Sequence, residues 1–457
     1  MIDGLHPYPK MKRTGVPWLA ELPAGWEIHR GKYSFREVDD RSPLGDEELL
    51  SVSHKTGVTP RSQKTITMFM AESYEGHKVC RPGDIVVNTM WAWMAALGVS
   101  RHAGIVSPAY GVYRPRTTSQ FEPRYLDYLL RTEVYRAEYV RSSRGITTSR
   151  LRLYPPDFLN IPFAQPPLDE QRLIVRFLDW YGAQTAKLIL AKKKLIALLN
   201  EQKRAIIRRA VTRGPSPNVK LIPSGIPWLG DVPKGWSISR VKTEFRCLNY
   251  RRIPLSSTER GKMTLRRYDY YGASGIIDKV DDFLFDDKLL LIAEDGANLV
   301  LRNLPLAIIA EGKFWVNNHA HILKPRRGDI RFLAAVIECL NFLPWISGAA
   351  QPKLTQDRLM SIAIAVPPGE LQREIIESCD AATAELTSAI AAAGREVALL
   401  QEFRTRVIAD VVTGKLDVRE AAASLPAATE FEPVEEPPEE DELDETMDDA
   451  ETEEVAA

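Results

Sequence analysis

Gly15-Val16-Pro17-Trp18-Leu19 returns 210 residues later as Gly225-Ile226-Pro227-Trp228-Leu229. The register persists: Pro23, Gly25, Trp26, Ile28 and Arg30 come back as Pro233, Gly235, Trp236, Ile238 and Arg240. Tryptophan, proline and glycine at fixed spacing mark an internal duplication of the 457-residue chain. A second pair of blocks follows at an offset of 201. Pro166-Pro167-Leu168-Asp169-Glu170-Gln171 is echoed by Pro367-Pro368-Gly369-Glu370-Leu371-Gln372. Leu198-Leu199-Asn200-Glu201 matches Leu399-Leu400-Gln401-Glu402, and Val211-Thr212 matches Val412-Thr413. The second copy is therefore nine residues shorter between its blocks. Copies that share their ends and differ in the middle suit one scaffold carrying two specificities.

Each copy reads as a mixed domain followed by a long helix. Short β-rich runs at residues 83–87, 110–113 and 288–292 are punctuated by turn residues. Residues 125–130 and 332–340 are short helical candidates. Residues 167–212 lack internal proline, and Ile174, Leu178, Tyr181, Leu188, Leu195, Leu199 and Ile206 follow heptad spacing. The second copy supplies Ile375, Cys379, Ala382, Leu386, Ala389, Ala393, Leu400, Phe403 and Val407, whose alanines allow a close partner helix. A helix of roughly 40–45 residues spans about 60–70 Å. Neither would stand alone in water with its seam exposed, so the two are expected to pair antiparallel. The expected class is α+β, with mixed α/β domains at 1–165 and 215–366, helices at 166–214 and 367–416, and an acidic tail at 417–457.

The chain's net charge of −1 conceals an uneven distribution. Residues 417–457 hold 17 acidic residues against one basic, Arg419, which leaves the preceding 416 residues at +15. A basic body suits a polyanion partner. The tail, with Pro433, Pro437 and Pro438, is expected to be disordered and solubilising. An apolar content of 44% is enough for two cores. No run approaches the ~18–20 apolar residues of a membrane span, and residues 1–15 lack the apolar core of a signal peptide. Cys80, Cys247, Cys339 and Cys379 form no C-x-x-C pair, which fits a reducing cytoplasm.

Catalytic signatures are missing. There is no P-loop, as Gly414-Lys415 lacks its upstream glycine, and no G-x-S-x-G elbow. Tyr154-Pro155-Pro156-Asp157 has the wrong order for an amino-methyltransferase motif, because the polar residue must precede the prolines. It reads as a turn. His319 and His321 lack further ligands and read as ordinary strand histidines, so no metal is expected. What remains suits nucleic acid. Arg141, Arg144, Thr147, Thr148, Ser149 and Arg150 populate one loop rich in phosphate-bonding groups. Its shorter counterpart, residues 348–354, keeps Gln351 and Lys353. Arg251, Arg252, Arg266 and Arg267 add basic pairs near Tyr268, Tyr270 and Tyr271. Arginine and glutamine can read guanine and adenine edges.

The order domain, helix, domain, helix, with each helix entered through a Pro-Pro-x-x-x-Gln turn, resembles the specificity subunit of type I restriction-modification enzymes. Local similarity is greatest in the second domain: Arg252-Ile253-Pro254-Leu255-Ser256, residues 270–277, Ala293-Glu294-Asp295-Gly296-Ala297-Asn298 and Asn318-His319-Ala320-His321 resemble a target-recognition domain. The first domain is similar through Pro17-Trp18, Pro23-x-Gly25-Trp26, residues 50–53 and residues 82–86. The resemblance covers about residues 10–416. It implies that each domain reads half of a split, asymmetric site in double-stranded DNA, and that the paired helices fix the gap between half-sites. It also implies docking of two modification subunits that methylate adenine at N6, and of two restriction subunits where the system has them. The chain itself would hold no cofactor; S-adenosylmethionine, ATP and Mg2+ would belong to the partners. Three alternatives stay open: a fused enzyme, which donor binding by the isolated chain would reveal; a coiled-coil scaffold without sequence readout; and the specificity subunit of a methylation-only system.

Overall fold

The computed structural model describes residues 5–63, 73–117, 120–145, 151–216, 218–348 and 352–425. The chain forms two compact units, and the division cuts both long helices. One unit comprises residues up to Lys193 together with those from Arg395 on; the other runs from Lys194 to Gly394. Each thus consists of one mixed domain, the near half of one long helix and the far half of the other.

The duplication is visible strand by strand. In the first unit Met11–Arg13 pairs with Glu21–Pro23, and Glu27–Arg30 with Pro162–Gln165. In the second, Leu221–Pro223 pairs with Asp231–Pro233, and Ser237–Arg240 with Ala363–Val366. The repeated tryptophans have packing roles. Trp26 meets Tyr125 edge-on at 6.5 Å, and Trp236 meets Phe332 at 6.1 Å. Trp18 meets Tyr135 at 5.0 Å, and Trp228 meets Trp345 at 5.2 Å. Such edge-to-face pairs add to the burial of large rings.

Between these shared frames the domains differ. The first holds a four-stranded antiparallel sheet in the order Phe35–Glu37, Gly111–Pro115, Ile85–Val87, Leu97–Val99, plus two-stranded ribbons. The second holds a six-stranded sheet in which Tyr268–Gly272 lies parallel to Ala307–Val316 and the other pairings are antiparallel. The offset between copies is 210 at Arg116/Arg326, whose Nε atoms donate to the carbonyls of Phe35 and Phe245. It is 207 at the helix caps Glu122/Asp329 and 201 at Leu153/Leu354. The nine-residue difference therefore arises in steps between Arg116 and Leu153, three residues before the helix caps and six after them.

The long helices are Leu168–Arg213 and Gly369–Val412, of 46 and 44 residues. In the first unit Ile174, Leu178 and Tyr181 share a core with Val407, Val411 and Val412, and Lys192 pairs with Glu396 at 2.6 Å. The start of one helix lies beside the end of the other, so the segments run antiparallel. In the second unit Ile207, Ala210 and Val211 share a core with Ile375, Ile376 and Cys379.

The structure corrects one line of the expected seam in each helix. Leu178, Leu199, Ile206, Ile375, Leu386, Leu400 and Val407 are buried or half-buried. Leu188, Leu195 and Phe403, however, are 45%, 42% and 48% exposed, and Ala382 and Ala389 face solvent. The second line runs one residue later, through Gly182, Ile189, Ile196 and Lys203, and through Thr383, Ile390, Val397 and Arg404. Bulky leucines drew the sequence reading away from a seam partly built of threonine and lysine. Ile189→Ala is therefore expected to cost about 2–4 kcal/mol, whereas Leu188→Ala should stay within about 0.5 kcal/mol of the parent. Urea unfolding of both variants decides between the two registers.

The acidic tail also begins later than expected. Asp417 bridges His6, a short helix spans Arg419–Ala423, and Val418 and Ala422 are fully buried in the first unit's core. Folded chain therefore continues past residue 417; residues 426–457 lie outside the described residues.

Candidate nucleic-acid interface

The two loops expected to touch nucleic acid spring from structurally equivalent roots. In the first unit Arg144 and Arg152 exchange backbone hydrogen bonds of 2.9 Å each. In the second, Ser347 and Lys353 do the same at 2.9 and 2.8 Å. Each hairpin root is tied to a second loop at the end of a core strand: Leu153 donates its N–H to the Thr89 carbonyl (3.0 Å), and Leu354 donates to the Glu294 carbonyl (2.8 Å). The hairpin and the strand-end loop thus form one composite rim per domain.

The rims differ in chemistry. On the first, Trp91 and Trp93 lie nearly parallel with ring centroids 6.4 Å apart, and the Trp93 indole donates to the Met90 carbonyl. Arg152 approaches the Met90 sulfur at 3.9 Å, and Tyr154 is exposed. On the second, Glu294 gathers cations: the Arg252 guanidinium at 2.5 Å and Lys353 Nζ at 3.3 Å. Arg252 also donates to the carbonyls of Asn318 and Ala320, fastening the Asn318–Ala320 turn to the same rim. Burial raises the Glu294 carboxyl pKa, but Arg252 and Lys353 outweigh it and hold the group below the usual carboxylate range.

Beneath Glu294, His321 is fully buried. Its Nε2 lies 2.7 Å from the Leu354 carbonyl and its Nδ1 2.8 Å from the Asn249 amide nitrogen. The carbonyl can only accept, so Nε2 carries the proton and Nδ1 accepts: a neutral imidazole. Burial lowers its pKa from 6.5. The unfolded chain thus binds a proton that the folded chain resists, and stability falls as pH drops below about 6.5. The expected result is a second unit with a lower urea midpoint at pH 5.5 than at pH 7.5. His321→Asn should remove that component of the slope.

The remaining sequence candidates are scattered. Arg141 closes the helix Glu133–Ser142 and pairs with Glu138 at 2.5 Å. Arg144 pairs with Asp157 at 2.8 Å and is 69% exposed. Arg251 lies over the Phe285 ring at 4.6 Å and donates to the Leu284 carbonyl. Arg252 is 17% exposed and engaged internally as above, which makes it a fastener of the rim. Arg266, in the left-handed region at φ 42°, faces Asp278 at 3.4 Å, and Arg267 is exposed beside it at the start of Tyr268–Gly272. Thr147, Thr148, Ser149, Arg150 and Gln351 lie outside the described residues. Of the candidates, Arg252 and Lys353 are brought together on one carboxylate. Sequence reasoning missed Glu294, Asp295, Trp91 and Trp93. It also placed His319 in a strand, whereas His319 sits in the turn before Ala320–Pro325.

A family model, the type I restriction modification DNA specificity domain, matches residues 233–393. A type I restriction enzyme specificity subunit of Haemophilus influenzae is 40% identical to this chain over 121 residues, 26% of this chain and 30% of that protein. The chain thus matches less than a third of that relative's length. Among solved structures, one chain from work on complex assembly and conformational transition of the type I R-M system superposes with a TM-score of 0.51 at 16% identity, covering 86% of this chain and 98% of that one. The HsdS subunit of Thermoanaerobacter tengcongensis superposes at 0.41 with 19% identity, covering 86% and 98%. The Glu294 rim lies inside the matched specificity domain. The first-unit rim lies outside the matched residues and is linked to it by the duplicated frame.

Proposed function

We propose that the whole chain is the non-catalytic specificity subunit of a type I restriction-modification complex. Each domain reads one half of a bipartite, asymmetric DNA site. The paired helices set the gap between half-sites and dock two modification subunits that methylate adenine at N6, using S-adenosylmethionine bound by the partners. Restriction subunits using ATP and Mg2+ join where the system encodes them. The observation that carries this reading is the pair of equivalent rims on a duplicated frame, one lined by Trp91, Trp93 and Arg152 and the other by Glu294, Arg252 and Lys353. Shared frames serve identical partners; unlike rims select unlike half-sites. The exposed leucines of the first long helix, Leu188, Leu195 and Leu198, suit a partner surface because solvated helix faces seldom carry such a line.

Modified-base sequencing of cells expressing this chain with its co-encoded methyltransferase tests the proposal. A split, asymmetric methyladenine motif is expected, and it should vanish when this chain is deleted. Methylation that persists unchanged, with assembly of the complex verified, would favour the scaffold reading.

A further inference from the structure

Deepening that reading, we propose that His319 is a base-reading group of the second domain and accepts a hydrogen bond from an exocyclic amino group in the DNA major groove. His319 projects from the turn between Ala307–Val316 and Ala320–Pro325 and is 46% exposed. Its Nδ1 lies 2.9 Å from both carboxylate oxygens of Asp295. A carboxylate accepts, so Nδ1 carries the proton, and in its neutral form the ring presents Nε2 as a lone pair. Among the described residues none bonds Nε2.

The ring is held rather than merely exposed. Asp295 is bridged to Lys353, and its side chain is 13% exposed. The His319 N–H donates to the Asn317 side chain at 2.8 Å, and the next carbonyls along the turn are pinned by Arg252. Holding both the orientation and the tautomer of a solvent-facing imidazole has no evident value for packing. It does have value for reading a donor. Phosphate oxygens only accept, so an acceptor-only Nε2 cannot serve backbone binding. In the major groove the donors are the amino groups of adenine N6 and cytosine N4.

The first domain supplies an internal control. In its equivalent loop Thr89 occupies the position of Glu294 and Met90 follows in place of Asp295, so no histidine–carboxylate pair exists there. Loss of His319 should therefore relax one half-site only.

The test uses the full chain with its co-encoded methyltransferase. The wild-type motif is established first; absence of any split motif at that stage overturns the function reading itself. Modified-base sequencing of His319→Ala is then expected to show about tenfold relaxed discrimination at one base pair of one half-site, with the other half-site unchanged. Deleting the amino group of that pair in a synthetic duplex (purine for adenine, or 2-pyrimidinone for cytosine) should weaken wild-type binding about tenfold and leave His319→Ala binding unaltered. Equal losses for both proteins, or an unchanged motif in His319→Ala, overturn the assignment. Uniform loss of methylation by an assembled His319→Ala complex also overturns it. Should His319→Ala fail to assemble, His319→Phe, which keeps a ring but has no acceptor, is read by the same two measurements, and a motif retained at every position together with wild-type sensitivity to the deleted amino group overturns the assignment.

Discussion

Duplicating one heptad in both long helices is expected to widen the gap between the two half-sites by about three base pairs while leaving each half-site unchanged. Seven residues add about 10.5 Å of helix at 1.5 Å per residue, and duplex DNA rises about 3.4 Å per base pair. The insertions must sit at matching levels. Lys192 and Glu396 mark one such level by their 2.6 Å ion pair, so repeating residues 192–198 in the first helix and 390–396 in the second preserves both sides of the seam. Each insertion brings its own seam residues, Lys192 and Ile196 on one side and Ile390 and Ala393 on the other. A seven-residue step leaves the seam facing its partner to within about 20°, whereas a four-residue step turns it by about 40°, from 3.6 residues per turn. A heptad in one helix alone would leave an unpaired loop of helix, and assembly with the methyltransferase should fall sharply. The readout is the methylated motif. An unchanged gap in a complex that still methylates would end the ruler reading while leaving sequence recognition intact.

Much of the architecture was legible in the chain. The tryptophan and proline spacing exposed the duplication because those residues have fixed structural duties, Trp26 and Trp236 on the two short helices and Trp18 and Trp228 on Tyr135 and Trp345. The long helices were legible from length and periodicity. One line of their seam was not, because a pattern search weights Leu188, Leu195 and Phe403 above Gly182, Thr383 and Lys203. A polar residue in a paired helix gives no apolar signal even when its stem is covered. The functional rim was less legible for a different reason. Charge drew the reading to Arg252, yet that guanidinium joins Glu294 to the Asn318–Ala320 turn, a contact between segments 42 and 66 residues away. His319 looked ordinary because its partner, Asp295, is 24 residues distant and the pair is no metal set. Local sequence records which residues are present at a turn, and the partner that fixes a tautomer is supplied by topology.

The Pro-Pro-x-x-x-Gln turn opens both long helices, and its glutamine is also where a single substitution should do the most damage. Gln372 is 3% exposed. Its Oε1 accepts from the Asp329 backbone N–H at 2.8 Å, and its Nε2 donates to the Pro367 carbonyl at 3.0 Å. Gln171 repeats this in the first unit, accepting from the Glu122 N–H at 2.8 Å and donating to the Pro166 and Gln120 carbonyls at 2.8 and 3.0 Å. Each glutamine latches the start of a long helix to the cap of a short one. Space is shaped around it: Gly328 has φ 80°, and a Cβ there would lie 2.7 Å from Gln372 Oε1. Gln372→Ala leaves a buried N–H without its partner and a small void, so a loss of about 3 kcal/mol is expected. For a domain of this size that is roughly 6–12 °C in melting temperature. Gln372→Glu separates hydrogen bonding from shape. At neutral pH the buried carboxylate cannot donate to Pro367, and its burial is costly. Once protonated, it can accept from Asp329 and donate to Pro367, restoring both bonds. Its folded pKa must therefore lie above the unfolded value of about 4.3, and its stability deficit should shrink as pH falls toward that value. The measurement is the difference in urea midpoint between Gln372→Glu and wild type at pH 7 and pH 5, which cancels the acid losses that His321 and Glu294 impose on both. A deficit that stays constant over this range would mean that the glutamine acts by volume alone.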